Sequence, residues 1–245
     1  MSLGLARRAF RGVQFVGERF GVEMRRVGHV PSGIPDAELY RPYFEPWRSA
    51  AFRTLLRHDD LHSHVTLDRK YVLYVTLDQA LRRCGGDVAE CGVYRGGTAY
   101  ILAARVESAK RTLHLFDTFA GMPPTDPARD LHRENDFQGT SLDAVEDYLS
   151  PFSCVAYHPG RIPGTLDAVA ADRFCFVHID LDIYDAIKTA TEFFYSRLAP
   201  GGAIVYDDYG LPSCPGARAA VDEFFADKPE TALVLAGGQS LVLKL

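Results

Sequence analysis

The chain has 245 residues, a formal net charge of −5, 47% hydrophobic residues and 24% charged ones. That length suits one substantial α/β domain with an added arm, and the composition is that of a folded globular protein, not a disordered one. The acidic balance argues against a general nucleic-acid binder, which needs a cationic surface to meet phosphates.

No apolar run approaches the roughly 20 residues that span a bilayer. Arg7, Arg8 and Arg11 are followed by Gln14, Glu18 and Arg19 rather than by a continuous apolar stretch, so no secretory leader is read there. Cys84, Cys91, Cys154, Cys175 and Cys214 are odd in number and contain no Cys-x-x-Cys pair. Neither a disulfide framework nor a zinc cluster is expected from them, and Cys91 and Cys175, set in apolar runs, are expected to be buried and reduced. The expectation is a cytoplasmic, enzyme-sized domain.

Residues 1–65 differ from the rest and read as an N-terminal arm, a lid or an oligomer contact, ahead of a domain over 66–245. Phe10, Val13, Val16 and Phe20 recur at helical spacing, which predicts a short amphipathic helix weakened by Gly12 and Gly17. This apolar stripe would pack on the domain or on a second copy of the chain; with its arginines it could also lie on a membrane surface, the less favoured reading. Pro31, Tyr40, Tyr43, Phe44, Pro46 and Trp47 follow, a segment that cannot be one long helix; it either closes over a substrate or only packs. His58, Asp59, Asp60, His62 and His64 could form part of a lid or a second metal site; the favoured reading is a solvated polar loop.

From residue 70 the pattern becomes regular. Helices are expected over 70–84, 99–106, 141–149, 186–198 and 217–225, with Thr140 or Ser141 as N-cap of the third. Strands are expected over 87–93, 112–116, 154–158, 174–179 and 203–206, the last following a turn at 199–202. Segments 231–235 and 240–243 flank 236–239 as a closing hairpin. Apolar strands alternating with helices predict a doubly wound, mostly parallel sheet covered on both faces.

In such a sheet, ligands bind beyond the carboxyl ends of the strands. Four strands deliver glycines or acids there: Tyr94-Arg95-Gly96-Gly97, then Asp117, then Asp180 and Asp182, then Asp207 and Asp208. The glycine turn lacks the spacing of a dinucleotide-binding fingerprint or a phosphate loop. An acid one strand later can accept both hydroxyls of a ribose, or else it caps the segment that follows it. Asp180, Asp182, Asp207 and Asp208 would repel one another if they converged. A hard cation would relieve that, and oxygen-only donors favour Mg²⁺, Ca²⁺ or Mn²⁺ over zinc; the alternative is that these acids cap the following helices. If the two-residue alternation of strand side chains persists past residue 179, Asp180 and Asp182 point the same way.

At these residues the chain resembles a known family. Glu90-Cys91-Gly92-Val93-Tyr94-Arg95-Gly96-Gly97, Phe116-Asp117-Thr118-Phe119-Ala120-Gly121-Met122-Pro123 and His178-Ile179-Asp180-Leu181-Asp182-Ile183-Tyr184 are similar to motifs of the macrocin O-methyltransferases, as are Pro200-Gly201-Gly202 through Asp207-Asp208-Tyr209-Gly210 and the run from Gly216 to Phe224. The resemblance covers roughly 70–245 and implies a class I methyltransferase-like α/β fold ending in an antiparallel hairpin. It implies S-adenosylmethionine and Mg²⁺ as cofactors and a hydroxyl on a sugar-containing antibiotic or related natural product as acceptor. Asp180, Asp207 and Asp208 would bind the metal and Asp182 would be the general base. Glu90, Gly92, Tyr94, Gly97 and Asp117 would belong to the S-adenosylmethionine site, with Ser141 near the adenine. Gln239, in the closing hairpin, is read as an acceptor contact. The arm departs from the family pattern, which leaves acceptor identity open. A phenol or catechol methyltransferase is the rival enzyme reading, and a non-catalytic S-adenosylmethionine-binding protein the rival from another class.

Overall fold

A computed structural model describes residues 45–56 and 62–245. The helix expected near residues 10–20, most of the proline-rich arm, and His58, Asp59 and Asp60 lie outside the described residues.

The described residues belong to a compact unit, Glu45–Leu245. It opens with a 3₁₀ turn, Pro46–Arg48, and one turn of helix, α1 (Ala50–Arg53), capped by the Ser49 side chain. Phe52 of α1 is buried edge-on against Tyr71, which anchors residues 45–56 to the long helix α2 (Leu67–Arg83). Then follow β1 (Asp87–Cys91), α3 (Gly97–Ala109), β2 (Leu113–Asp117), α4 (Leu142–Leu149) and β3 (Val155–Pro159). The second half is β4 (Phe174–Ile179), α5 (Tyr184–Tyr195), β5 (Leu198–Tyr206), α6 (Pro215–Phe225), β6 (Leu233–Val234) and β7 (Ser240–Leu243).

The seven strands lie in the order β3-β2-β1-β4-β5-β7-β6. β1 to β5 are parallel, and β7 runs antiparallel to both β5 and β6. This is the expected doubly wound α/β sheet with its terminal antiparallel pair, and Ser141 is the N-cap of α4, accepting from Ala144 N–H. Several helix and strand ends shift by two or three residues, and the largest difference is at β5. The turn expected at 199–202 is absorbed into β5, which begins at Leu198 and takes an irregular register against β4. Gly201, at φ +82°, lets the strand make that irregularity without ending.

Each face of the sheet carries its own core. Leu73 and Leu77 of α2, with Leu102 and Val106 of α3, cover one face; Ile187 and Phe194 of α5, with Ala217 and Val221 of α6, cover the other. Each such side chain removed from water contributes about 1.5–3 kcal/mol. Because both faces are covered, the middle strands are largely apolar, with Glu90 of β1 and His178 of β4 as buried exceptions, and most of their polar chemistry is displaced to the ends. Strand order reverses direction between β1 and β4, which opens a crevice at their carboxyl ends. None of the described helices is long and apolar enough to cross a membrane. The cysteines are free, with Cys91 and Cys175 buried.

Candidate active site

The crevice is a cavity of about 530 Å³, lined from β1, β2, β4 and β5 and roofed in part by residues 62–65. A volume of that order suits a drug-sized ligand.

Its first wall is the turn after β1. Gly92 sits at φ +88°, and a methyl group there would overlap the Asp180 carbonyl, so only glycine lets the β1 turn pass this close to β4. Tyr94 also takes a left-handed backbone, φ +52°. Asp117, the last residue of β2, holds this turn: its Oδ2 accepts from Val93 N–H at 2.6 Å and from Tyr94 N–H at 2.9 Å. Its Oδ1 accepts from Phe119 N–H at 2.8 Å, the capping role and the turn-bracing role combined. Thr118 Oγ1 also lies 3.4 Å from Oδ1, but its one proton goes to the Gly121 carbonyl at 2.6 Å, so of about four lone-pair sites one stays open toward the cavity that Asp117 lines.

The opposite wall is acidic. Carboxylate oxygens of Asp180, Asp207 and Asp208 lie within 4.8 Å of one another. Asp208 Oδ2 also accepts from Asp182 N–H at 2.9 Å. Burial, followed by the neighbouring acids, pushes Asp180 well above the ordinary carboxylate range. Asp208 rises for the same reasons, burial first and then Asp182 and Asp207. Asp207 goes the other way: burial works against its charge, but His178, Arg69 and Gln239 outweigh it. Crowded carboxylates of this kind repel one another, and a bound cation would relieve that repulsion. Three convergent oxygens with no nitrogen or sulfur among them fit a hard divalent cation such as Mg²⁺.

Asp182 departs from this trio. Strand geometry ends at Ile179, and Asp182 adopts φ +61°, so the two-residue alternation does not carry past the strand. Its side chain turns toward His132 and Cys214 instead: Oδ1 lies 3.6 Å from His132 Nε2 and accepts from Cys214 Sγ at 3.3 Å. Burial raises its pKa despite the lowering influence of His132 and the Cys214 hydrogen bond.

Of the other expected site residues, Gly92, Tyr94 and Asp117 line the cavity, whereas Glu90, Gly97 and Gln239 are buried outside its lining and Ser141 is exposed at the start of α4. Glu90 is fully buried within β1, where its Oε1 pairs with His178 Nδ1 at 2.8 Å. A Cβ at Gly97 would fall 2.8 Å from the His62 carbonyl oxygen, so this glycine admits segment 62–65 against α3. Gln239 is buried and donates to Asp207 Oδ1 at 2.7 Å. His62 and His64 both line the cavity: His62 is half-buried and stacked on Tyr148 at 3.9 Å, and His64 is exposed to solvent and stacked on Tyr94.

Sequence reasoning missed four residues of the site. Arg69 is buried and forms an ion pair with Asp207. His178 sits between Glu90 and Asp207; burial disfavours its charge, but the two carboxylates prevail and push it up to about 9. His132 and Cys214 meet Asp182. Of these only His178 carried a local signal, a titratable residue inside an otherwise apolar strand.

A family model described as macrocin-O-methyltransferase (TylF) matches residues 71–233. Mycinamicin III 3''-O-methyltransferase from Micromonospora griseorubida is 33% identical over 181 residues, covering 66% of this chain and 70% of that protein. The 8-demethyl-8-(2,3-dimethoxy-alpha-L-rhamnosyl)-tetracenomycin-C 4'-O-methyltransferase of Streptomyces olivaceus is 30% identical over 147 residues, covering 54% of this chain. That match spans 56% of the Streptomyces protein, little more than half its length. Among solved structures, the O-methyltransferase NovP superposes with a TM-score of 0.67 at 24% identity, covering 75% of this chain and 82% of NovP.

Proposed function

The chain belongs to the macrocin O-methyltransferase family, and from that premise we propose that it is a cytoplasmic enzyme that methylates a sugar hydroxyl, using S-adenosylmethionine as methyl donor and Mg²⁺ as an essential ion. The acceptor would be a glycosylated natural product or a nucleotide sugar, a reading supported by the sugar-bearing compound in the name of the Streptomyces relative.

The observation that carries the reading is a cavity with two chemically distinct walls. The glycine turn braced by Asp117 suits an adenosyl group, because Gly92 puts no side chain in the way and the Asp117 carboxylate lines the cavity and can accept from a hydroxyl. The trio Asp180, Asp207 and Asp208 would hold Mg²⁺. Bound S-adenosylmethionine supplies an electrophilic methyl group on a sulfonium, and bound Mg²⁺ supplies the charge that makes a sugar hydroxyl acidic enough to ionise near neutral pH.

The chain's own residues do the rest. Asp182, at the edge of the trio and lining the cavity, accepts the hydroxyl proton on its carboxylate. Its raised pKa makes it a stronger base than an exposed aspartate. His178, charged between Glu90 and Asp207, keeps Asp207 ionised, and Gln239 fixes one of its oxygens. Residues 62–65 cover part of the cavity and limit water, while the two walls hold donor and acceptor side by side, which supplies much of the acceleration.

The test is an acceptor screen with isotopically labelled S-adenosylmethionine over glycosides, nucleotide sugars and simple catechols. Label on a glycoside or nucleotide-sugar hydroxyl supports the reading; label on catechols alone overturns the sugar assignment.

A further inference from the structure

Three side chains beside the acidic trio form a set of different chemistry. His132 comes from the loop between β2 and α4, Asp182 from the turn after β4, and Cys214 from the N-cap of α6. One donor atom from each lies within 4.8 Å of the other two. From this we infer that the chain carries a zinc site made of His132 Nε2, Asp182 Oδ1 and Cys214 Sγ, separate from the oxygen-only site next to it and sharing no ligand with it.

Four observations support it. The first is spacing. Tetrahedral zinc, with bonds of about 2.0–2.1 Å to nitrogen and oxygen and about 2.3 Å to sulfur, sets neighbouring donors about 3.3–3.6 Å apart. The separations are 3.6 Å for His132 to Asp182 and 3.3 Å for Cys214 to Asp182.

The second is the outer shell. His132 Nδ1 lies 3.2 Å from Asp136 Oδ2, and that carboxylate is itself held by Arg133 N–H at 2.9 Å. A carboxylate on the far nitrogen of a histidine is the usual support of a zinc-bound imidazole, because it fixes the tautomer with a lone pair on the other nitrogen. With Nδ1 so engaged, Nε2 is the nitrogen turned toward Asp182 Oδ1, 3.6 Å away, where both atoms can share one cation.

The third is the donor mix: nitrogen, oxygen and sulfur together select zinc over magnesium, which takes oxygen alone. The fourth is position. Cys214 is buried at the N-cap of α6, where burial and then the neighbouring Asp208 and Asp182 hold the proton on its sulfur, so a bound ion has to displace that proton. His132, Asp182 and Ser213 line the cavity, so an ion has a route in and an open fourth position facing the ligand space.

Binding replaces the thiol proton with zinc: the sulfur–hydrogen bond breaks, a sulfur–zinc bond forms, and one proton leaves to solvent. Zinc on Asp182 also takes the lone pair that the proposed methyl transfer needs. The inhibitory consequence rests on that reading; the site itself does not.

The experiment titrates the reduced full-length chain with zinc chloride against a chromophoric chelator, in a large molar excess of Mg²⁺ and without methyl donor or acceptor. One zinc per chain is expected to remain bound. His132→Gln and Cys214→Ser, both close in shape to the native residues, should each weaken retention at least about a hundredfold, and Asp136→Asn about tenfold. Cobalt in place of zinc should give a near-ultraviolet thiolate-to-metal absorption in the native chain that Cys214→Ser lacks. Zinc lost to Mg²⁺, or held as tightly by both ligand variants as by the native chain, would overturn the site. Zinc retained as expected by a chain that, once stripped of zinc, binds no S-adenosylmethionine would sink the methyltransferase reading and leave the site standing. In an active preparation, about one equivalent of zinc should abolish methyl transfer; undiminished turnover with zinc bound would show that Asp182 is not the base.

Discussion

The guanidinium of Arg69, in the first turn of α2, closes on the Asp207 carboxylate beyond the end of β5, 138 residues along the chain and inside the domain. The same side chain donates from Nη2 to the His64 carbonyl at 3.1 Å and from Nε to Thr66 Oγ1 at 3.2 Å. One cation therefore neutralises part of the acidic wall and pins the segment that roofs the cavity.

Arg69→Met should cost about 3–5 kcal/mol, the usual consequence of stranding one member of a buried ion pair. Because it also removes a positive charge from the trio, Mg²⁺ should raise the melting temperature of the variant more than that of the native chain. Thermal unfolding with and without Mg²⁺ checks this; equal shifts in the two proteins would show that Arg69 and the ion do not share the acids.

Gly92 and Gly201 both have left-handed backbones, but only Gly92 is crowded. Nothing lies within 4 Å of a Cβ built on Gly201, so Gly201→Ala should cost only the backbone strain, about 1–2 kcal/mol. Gly92→Ala adds a clash with the Asp180 carbonyl and should either fail to fold or lose cofactor binding. Chemical denaturation of the pair tests the contrast, and comparable costs would contradict it.

Asp117→Asn places an amide N–H where backbone N–H groups of the β1 turn now donate. It should destabilise the chain by about 1–3 kcal/mol through unpaired donors and weaken S-adenosylmethionine binding at least about tenfold by loosening the turn. Native-like affinity for the methyl donor would remove Asp117 from the cofactor site.

His158 and His114 face each other across β3 and β2 at 3.0 Å, with Asp87 near the far nitrogen of His114. Burial, then the His114 charge, lowers the His158 pKa below its usual value near 6.5. A group whose pKa falls on folding adds stability that is full above its unfolded pKa and lost as pH drops through the folded one. Stability should therefore decline below about pH 6.5, and His158→Phe should flatten that part of the pH profile. An unchanged slope in urea denaturation between pH 7 and pH 5 would contradict the pairing.

Much of this was legible in the sequence because a doubly wound sheet concentrates its polar chemistry at strand ends. Four apolar runs that stop at Gly92, Asp117, Asp180 and Asp207 declare the fold and mark out a candidate site. The partners of those residues were not legible. Arg69 stands near the start of an amphipathic helix and reads as a surface charge until the fold sets it beside Asp207. Asp182 was expected to follow strand alternation; a single left-handed residue sent it toward His132 and Cys214, and no local pattern forecasts that turn. Glu90 was assigned to the cofactor by resemblance, but in the fold it faces His178 on the neighbouring strand.

Calorimetry of S-adenosylmethionine binding, with and without Mg²⁺, on the native chain and on Asp207→Asn/Asp208→Asn tests the central claim most directly. The account predicts that the native chain binds both, and that the double variant still binds S-adenosylmethionine while losing the heat of metal binding. Absence of S-adenosylmethionine binding under every condition would contradict the methyltransferase reading, and an undiminished metal heat in the double variant would contradict the acidic trio as its site.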